Sequence, residues 1–160
     1  MKNNTKHSRG FTVIELLVVI VVVCILALFV GATYSGVQAK NRNAQRQSDI
    51  DTLKVQLENY YAQNNVYPTL AELNSNSWRA ANLKHVSEAN IADPRWSANI
   101  KSCTADGQAI ATNVPTSDCY SYQVTGSDGS ACNNTTIDCA HYTLTAILEG
   151  GQKYVKSSLN

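Results

Sequence analysis

The chain has 160 residues and a nearly balanced charge, with 13 lysines and arginines against 12 aspartates and glutamates. One apolar segment takes up much of the first fifth, which leaves about 120 residues, enough for one small domain. Residues 1–10 hold three of the basic side chains, and without them the balance is 10 against 12, a net charge of −2. The composition therefore gives no basic excess that would indicate a nucleic-acid partner.

The apolar segment Phe11–Ala32 follows a short polar and basic stretch, residues 1–10. Its 22 residues would form a helix of about 33 Å, close to the hydrocarbon thickness of about 30 Å. We therefore expect this segment to span a membrane. A secretory signal peptide is disfavoured, because its apolar region is shorter and residues 31–34 match its cleavage pattern poorly.

Basic residues flank the apolar segment on both sides, so the positive-inside rule alone does not orient it. They are Lys2, Lys6 and Arg9 before the segment, and Lys40, Arg42 and Arg46 after it. Four cysteines late in the chain indicate an oxidising compartment for the domain that follows the apolar segment. We therefore expect the N-terminus in the cytoplasm and the rest of the chain outside it.

The region 35–65 contains no proline and one glycine, and its apolar residues recur with a helical period. Ile50, Leu53, Leu57 and Tyr60 form one stripe, which predicts an amphipathic continuation of the apolar helix. We expect one helix from about Phe11 to about Asn65, with two helices hinged at Gly31 to Gly36 as the alternative. The polar residues expected to lie mostly away from the stripe are Arg46, Asp49, Lys54, Glu58 and Gln63.

Asn64 and Asn65 are expected to end the long helix, and residues 66–68 are predicted to be extended because a proline closes them. Thr69 and Glu72 have the spacing of a capping box, which predicts a short helix through Leu73. Residues 74–118 have weak periodicity, and Trp78 and Trp96 are interpreted as anchors that hold this region to the core.

Strand signals come late in the chain. Tyr120, Tyr122 and Val124 alternate with polar residues, residues 142–148 are rich in β-formers, and residues 153–156 follow a glycine-containing turn. The prediction is an antiparallel meander of three or four strands packed on the apolar stripe of the long helix. The fold class is therefore α+β, with a long N-terminal helix whose second half packs on a small C-terminal sheet.

The late cysteines, Cys103, Cys119, Cys132 and Cys139, are separated by 15, 12 and 6 residues. Disulfides fit better than zinc, because no C-x2-C pair is present. Of the three possible pairings, Cys103 with Cys119 and Cys132 with Cys139 are favoured because each closes a short loop.

The stretch Arg9-Gly10-Phe11-Thr12-Val13-Ile14-Glu15-Leu16-Leu17, ahead of the long apolar helix, resembles the prepilin signature of type IV pilins and type II secretion pseudopilins. The resemblance implies cleavage by a prepilin peptidase between Gly10 and Phe11 and N-methylation of Phe11. It also implies that an inner-membrane assembly platform and its ATPase build a filament from this chain and related pilins. The segment NVYPTLAEL, residues 65–73, is similar to the one that closes the long helix in the family.

Within this resemblance, Glu15 is the assembly residue, pairing with the Phe11 amine of a neighbouring subunit. A buried carboxylate is costly unless it is paired. The alternative is that Glu15 reaches the lipid headgroups and has no specific role. One departure is that no proline lies in the apolar helix, whereas many pilins have one where the helix unwinds in the filament.

We find no catalytic constellation, since Cys139 is better explained by a disulfide than as a nucleophile beside His141. No cofactor is expected. Weak calcium candidates, suggested by a calcium loop of some pseudopilins, are Asp128, Asn133, Asn134 and Asp138.

The resulting expectation is a structural filament subunit, divided into a cleaved leader (1–10), a membrane and filament-core helix (11–33) and a head (34–160). Before assembly it would contact membrane lipid, as a single-pass protein of the cytoplasmic membrane. Afterwards it would belong to a periplasmic or extracellular filament. The alternative is an uncleaved membrane-anchored protein that displays a binding or adhesive domain.

Overall fold

The computed structural model describes residues 11–96, 103, 109–111 and 115–160, and for residues 28–35 it describes only the backbone. Internal contacts divide the chain into two compact units, Met1–Gln38 and Ala39–Asn160. The expected leader, including Gly10, lies outside the described residues. The boundary expected between residues 33 and 34 differs by a few residues from this division.

The longest element is helix α1, Val13–Asn64. It is assigned as one helix, as predicted, and not as two helices hinged at Gly31 to Gly36. Asn65 follows it with a left-handed φ of 58°, and its N–H donates to the carbonyl of Tyr61 at 2.7 Å, a common way to end a helix. Among the described residues, no helix is long and apolar enough to cross a membrane.

Three short helices follow, α2 (Leu70–Asn74), α3 (Asn76–Asn82) and α4 (Glu88–Ile91). The predicted capping box is confirmed, because the Thr69 hydroxyl accepts the Glu72 N–H at 3.3 Å and the Glu72 carboxylate accepts the Thr69 N–H at 2.7 Å. Helices α3 and α4 were not predicted from the sequence. They have seven and four residues, too few for a repeating apolar pattern to be visible.

In the described residues the sheet has four strands, β1 (Ile110–Ala111), β2 (Tyr120–Thr125), β3 (His141–Ile147) and β4 (Lys153–Ser157), in that spatial order. Strands β2, β3 and β4 form the predicted antiparallel meander. Strand β1 pairs in parallel with β2 through two residues and was missed, since two residues carry no periodicity.

The core of the second unit forms where the C-terminal half of α1 meets the sheet. Ile50, Leu53 and Leu57 have no accessible surface, and Tyr120 and Leu144 are buried in the same cluster. The predicted packing of the apolar stripe on the sheet is confirmed, and the class is α+β.

The two tryptophans are partly buried. Trp78 packs against the core and lies edge-to-face with Tyr60, at 5.1 Å between ring centres. Trp96 is half-buried, and its backbone N–H donates to the Asp93 carbonyl at 2.7 Å.

Candidate functional site

The described part of the N-terminal motif starts at Phe11, which is 81% exposed. Thr12 and Glu15 form a capping box at the start of α1. The Glu15 carboxylate accepts the Thr12 N–H at 2.9 Å and the Thr12 hydroxyl at 2.9 Å, and the Glu15 N–H donates to that hydroxyl oxygen at 3.2 Å. This contact was missed from the sequence, although Thr12-x-x-Glu15 has the same spacing as the capping box that was predicted at Thr69.

The large apolar side chains from Val13 to Leu26 are all exposed, by between 47% and 82%. They occur on every side of the helix rather than on one stripe. A helix that is apolar all round needs a cover other than water, either lipid or other apolar helices. The described side chains of the first unit therefore present an exposed apolar surface from Val13 to Leu26.

Two disulfides lie in the second unit, Cys103–Cys119 and Cys132–Cys139. These are the pairings that the short loops favour. Cys139 is bonded in a disulfide and has no accessible surface. It therefore cannot act as a nucleophile with His141 as its base. Cys24 on α1 is free and exposed.

A buried ion pair joins α1 to the segment after α4. Arg46 and Asp93 are 1% and 2% exposed, and their two hydrogen bonds measure 2.6 Å from Nε and 3.0 Å from Nη2. The other guanidinium protons reach Asn43 at 3.2 Å, Glu149 at 3.3 Å and the Ser117 carbonyl at 3.2 Å. The guanidinium group is thus fully satisfied, as a buried charge requires.

Glu149, in the turn before β4, extends this pair into a cluster. It accepts hydrogen bonds from Arg42 at 2.7 Å and from Arg95 at 2.8 Å as well as from Arg46. The hydrogen bond from Arg42 is the largest of the effects that lower the pKa of the Glu149 carboxyl group. The cluster of Arg42, Arg46, Arg95, Asp93 and Glu149, called here the arginine cluster, ties α1 to the sheet by charge.

The expectation that Arg46 and Asp49 lie away from the core is wrong. Both are buried, because positions 46 and 49 continue the stripe of Ile50 and Leu53 toward the N-terminus at helical spacing. Asp49 accepts a hydrogen bond from the Tyr120 hydroxyl at 2.9 Å. Extending the stripe by one turn would have found these residues in the sequence.

Glu58 has a similar role one helical turn after Leu53 and Lys54. Its carboxylate accepts the Tyr67 hydroxyl at 2.9 Å and the Tyr142 hydroxyl at 2.8 Å. Asp49 and Glu58 of α1 therefore accept hydrogen bonds from tyrosine hydroxyl groups, which explains how these acids fit beside the apolar stripe.

A family model of the prokaryotic N-terminal methylation motif matches residues 5–31. The chain is also 39% identical over 64 residues to the type II secretion system core protein G of Dickeya chrysanthemi, and 38% identical over 65 residues to the protein of the same name of Escherichia coli. The chain therefore matches the methylation motif near its N-terminus and is similar to these two secretion-system proteins over part of its length.

These matches cover 40% and 41% of this chain and 42% and 45% of the two relatives, so less than half of each relative is matched. No solved structure matches the chain significantly. The two relatives therefore leave more than half of this chain unmatched.

Three of the four calcium candidates, Asp128, Asn133 and Asn134, use side-chain oxygen atoms within the loop itself. Asn133 Oδ1 accepts two following backbone N–H groups at 3.0 and 2.8 Å, Asn134 Oδ1 accepts the Cys139 N–H at 2.8 Å, and Asp128 Oδ1 accepts the N–H two residues later at 2.9 Å. Asp138 is exposed. In the part of the chain that the structure describes, no group of three or more His, Cys, Asp or Glu side chains could hold a metal ion.

The absence of proline from the apolar segment agrees with the helix assignment of α1. Helix α1 is assigned as helix through Gly31 and Gly36, the two positions at which an interruption was considered. The described backbone of α1 is therefore assigned as helix without a break.

Proposed function

We propose that the chain is a structural subunit of a type II secretion pseudopilus or a type IV pilus. In this proposal residues 11–33 anchor it in the inner membrane, and a prepilin peptidase cuts between Gly10 and Phe11. Phe11 is then N-methylated, and an assembly platform with its ATPase builds the filament from this chain and related pilins. The names of the two relatives favour the secretion branch.

The exposed apolar surface from Val13 to Leu26 is the observation that carries this proposal. It lies within the residues that match the methylation motif, 5–31, and has no polar side that would favour contact with water. Lipid can cover such a surface in a monomer, and the same surfaces of other subunits can cover it in a filament. A second copy is the partner that always matches in length and apolarity.

Glu15 is proposed to have one role in the monomer and another in the filament. In the monomer its carboxylate caps α1 through Thr12, which offsets part of the cost of a charge in an apolar segment. Only one carboxylate oxygen is used in these contacts, and the described residues give Glu15 no ion pair. The remaining oxygen is free to accept the Phe11 amine of a neighbouring subunit, and that charge-assisted contact would favour the correct stagger.

Glu15→Gln and Thr12→Ala separate these two roles. Glutamine can still close a capping box but carries no charge, whereas Thr12→Ala removes the cap, at about 1 kcal/mol, and keeps the charge. We expect Glu15→Gln to be processed normally and to form few filaments, and Thr12→Ala to assemble close to normally. Immunoblots for processing and electron microscopy of sheared filaments measure the two outcomes.

Normal filaments from Glu15→Gln would refute the pairing role of the charge. Equal losses in Glu15→Gln and Thr12→Ala would show that helix capping, and not pairing between subunits, is what assembly needs.

A further inference from the structure

A polar groove lies in the second unit, between the last turns of α1 and the segment that ends α3. Its volume is about 450 Å³. Helix α1 contributes Gln56, Asn59, Gln63 and Asn64, which share one face at spacings of three, four and one residues. Residues between 81 and 85 form the opposite wall. This size is in the range of small-ligand sites.

The amide groups of the groove are only partly used within the protein. The side-chain NH2 groups of Gln63, Asn64 and Asn82 donate to the carbonyl four residues earlier, at 3.2, 2.9 and 2.9 Å. Their side-chain oxygens accept no hydrogen bond from the described residues, and the amides of Gln56 and Asn59 make none within the same set. The groove therefore offers both donors and acceptors to a ligand.

The groove has a lysine, a histidine and an aromatic ring but no acid in its lining. Lys84 and His85 stand on the wall opposite α1, and neither Asp nor Glu is among the lining residues. Tyr60 contributes a half-buried ring, held edge-to-face by Trp78 at 5.1 Å. An anionic group would therefore find a partner in Lys84 without repulsion from the lining.

We propose that this groove binds an acidic saccharide, a ligand with many hydroxyl groups and a carboxylate. Each hydroxyl group both donates and accepts, which matches the unused amide oxygens and NH2 groups. The carboxylate pairs with Lys84, and the ring of Tyr60 supplies an apolar surface for a sugar face. An apolar ligand would leave the amides without hydrogen-bond partners, which costs free energy. A bound peptide would find little apolar surface for its side chains, because Ala81 is the one aliphatic residue of the lining.

The test is a titration of the full chain in detergent micelles, followed by NMR of the side-chain NH2 groups. The probe is a short oligomer of galacturonic acid, and the reference is a galactose oligomer of the same length. We expect the acidic oligomer to shift the NH2 signals of Gln56 and Asn59 and to bind about tenfold more tightly than the neutral one. Lys84→Gln should lose that tenfold preference, and Lys153→Gln, at another exposed lysine, should keep it.

A second pair of variants tests the amides. Gln56→Ala combined with Asn59→Ala should weaken binding about tenfold, whereas Gln45→Ala, an exposed amide of α1 outside the groove, should not. The proposal does not depend on assembly, so the double variant should still form filaments.

Three results would overturn the proposal. Equal affinity for the two oligomers would remove the acidic group from the ligand, and equal losses in Lys84→Gln and Lys153→Gln would indicate non-specific charge attraction. Shifts of the groove signals with protein concentration alone would assign the groove to a contact between copies of this chain.

Discussion

Arg46 and Asp93 form the most deeply buried ion pair of the arginine cluster, and both side chains are about 1% exposed. Removing one partner would leave the other charge buried without compensation, at a cost of about 3–5 kcal/mol. We therefore expect Arg46→Met to lower the free energy of unfolding by about this amount. Denaturant unfolding of the full chain in detergent, followed by tryptophan fluorescence, measures it.

Arg42→Met is the matched control for that measurement. Arg42 pairs with Glu149, but the two side chains are 28% and 19% exposed, so its loss should cost about 1 kcal/mol or less. Replacing Arg46 by Met and Asp93 by Leu together should restore much of the lost stability, because no buried charge is then left unpaired. Equal effects of Arg46→Met and Arg42→Met would contradict this account of the cluster.

As the pH rises, Asp49 and Glu149 should change the free energy of unfolding in opposite directions. Burial raises the pKa of Asp49, so its contribution is full below the unfolded pKa of about 3.9 and is lost as the pH rises through the folded value. The hydrogen bond from Arg42 lowers the pKa of Glu149, so its contribution is full above about 4.3 and is lost as the pH falls.

Unfolding free energies of Asp49→Asn and Glu149→Gln between pH 3 and 6 check these signs. Relative to Asp49→Asn, the parent chain should lose stability as the pH rises. Relative to Glu149→Gln, it should gain stability over the same interval. Two difference curves of the same sign would contradict the assigned pKa directions.

At the scale of elements, the two disulfide loops are expected to contribute unequally to the free energy of unfolding. The cysteines are 16 and 7 residues apart, for which chain entropy gives about 3 and about 2 kcal/mol. Replacing Cys103 and Cys119 by serine should therefore destabilise the chain more than replacing Cys132 and Cys139. Denaturant unfolding of the two double variants measures the order, and a reversed order would show that native contacts of the shorter loop outweigh loop length.

The elements that the sequence predicted best are those with a long period or a defined local signal. Helix α1 has an apolar stripe over many turns, and the box at Thr69 depends on two residues only three positions apart. What the pattern does not show is the distant partner: position 46 continues the stripe, and Asp93, 47 residues later, neutralises the charge that is buried there. A period shows which face of a helix is buried, but not that a charge on this face finds its counterpart across the fold.

The parts of the candidate site also differ in how well the sequence predicts them. The cleavage junction and the assembly role of Glu15 are predictions from a contiguous motif, whereas the disulfide pairing predicted from loop lengths is present in the structure. The groove beside Gln56 was not found, because its second wall comes from residues 81–85, in a region without a clear period. Polar residues on a helix face look alike in sequence whether they line a groove or simply contact water.

At the scale of the whole molecule, the two units differ in what stabilises them. The unit Ala39–Asn160 has its own core, two disulfides and the arginine cluster. The described part of Met1–Gln38 has exposed apolar side chains and a capped helix start. A filament subunit needs both properties: a head that is stable by itself and a helix whose cover comes from other molecules.

The central claim, that this chain is a processed filament subunit, is tested most directly by the intact mass of the protein recovered from sheared filaments or from the membrane of a host with a prepilin peptidase. We predict a chain that begins at Phe11 and carries one added methyl group at its N-terminus. A mature species that retains Met1 to Gly10 would contradict this account and would favour an uncleaved, membrane-anchored binding protein.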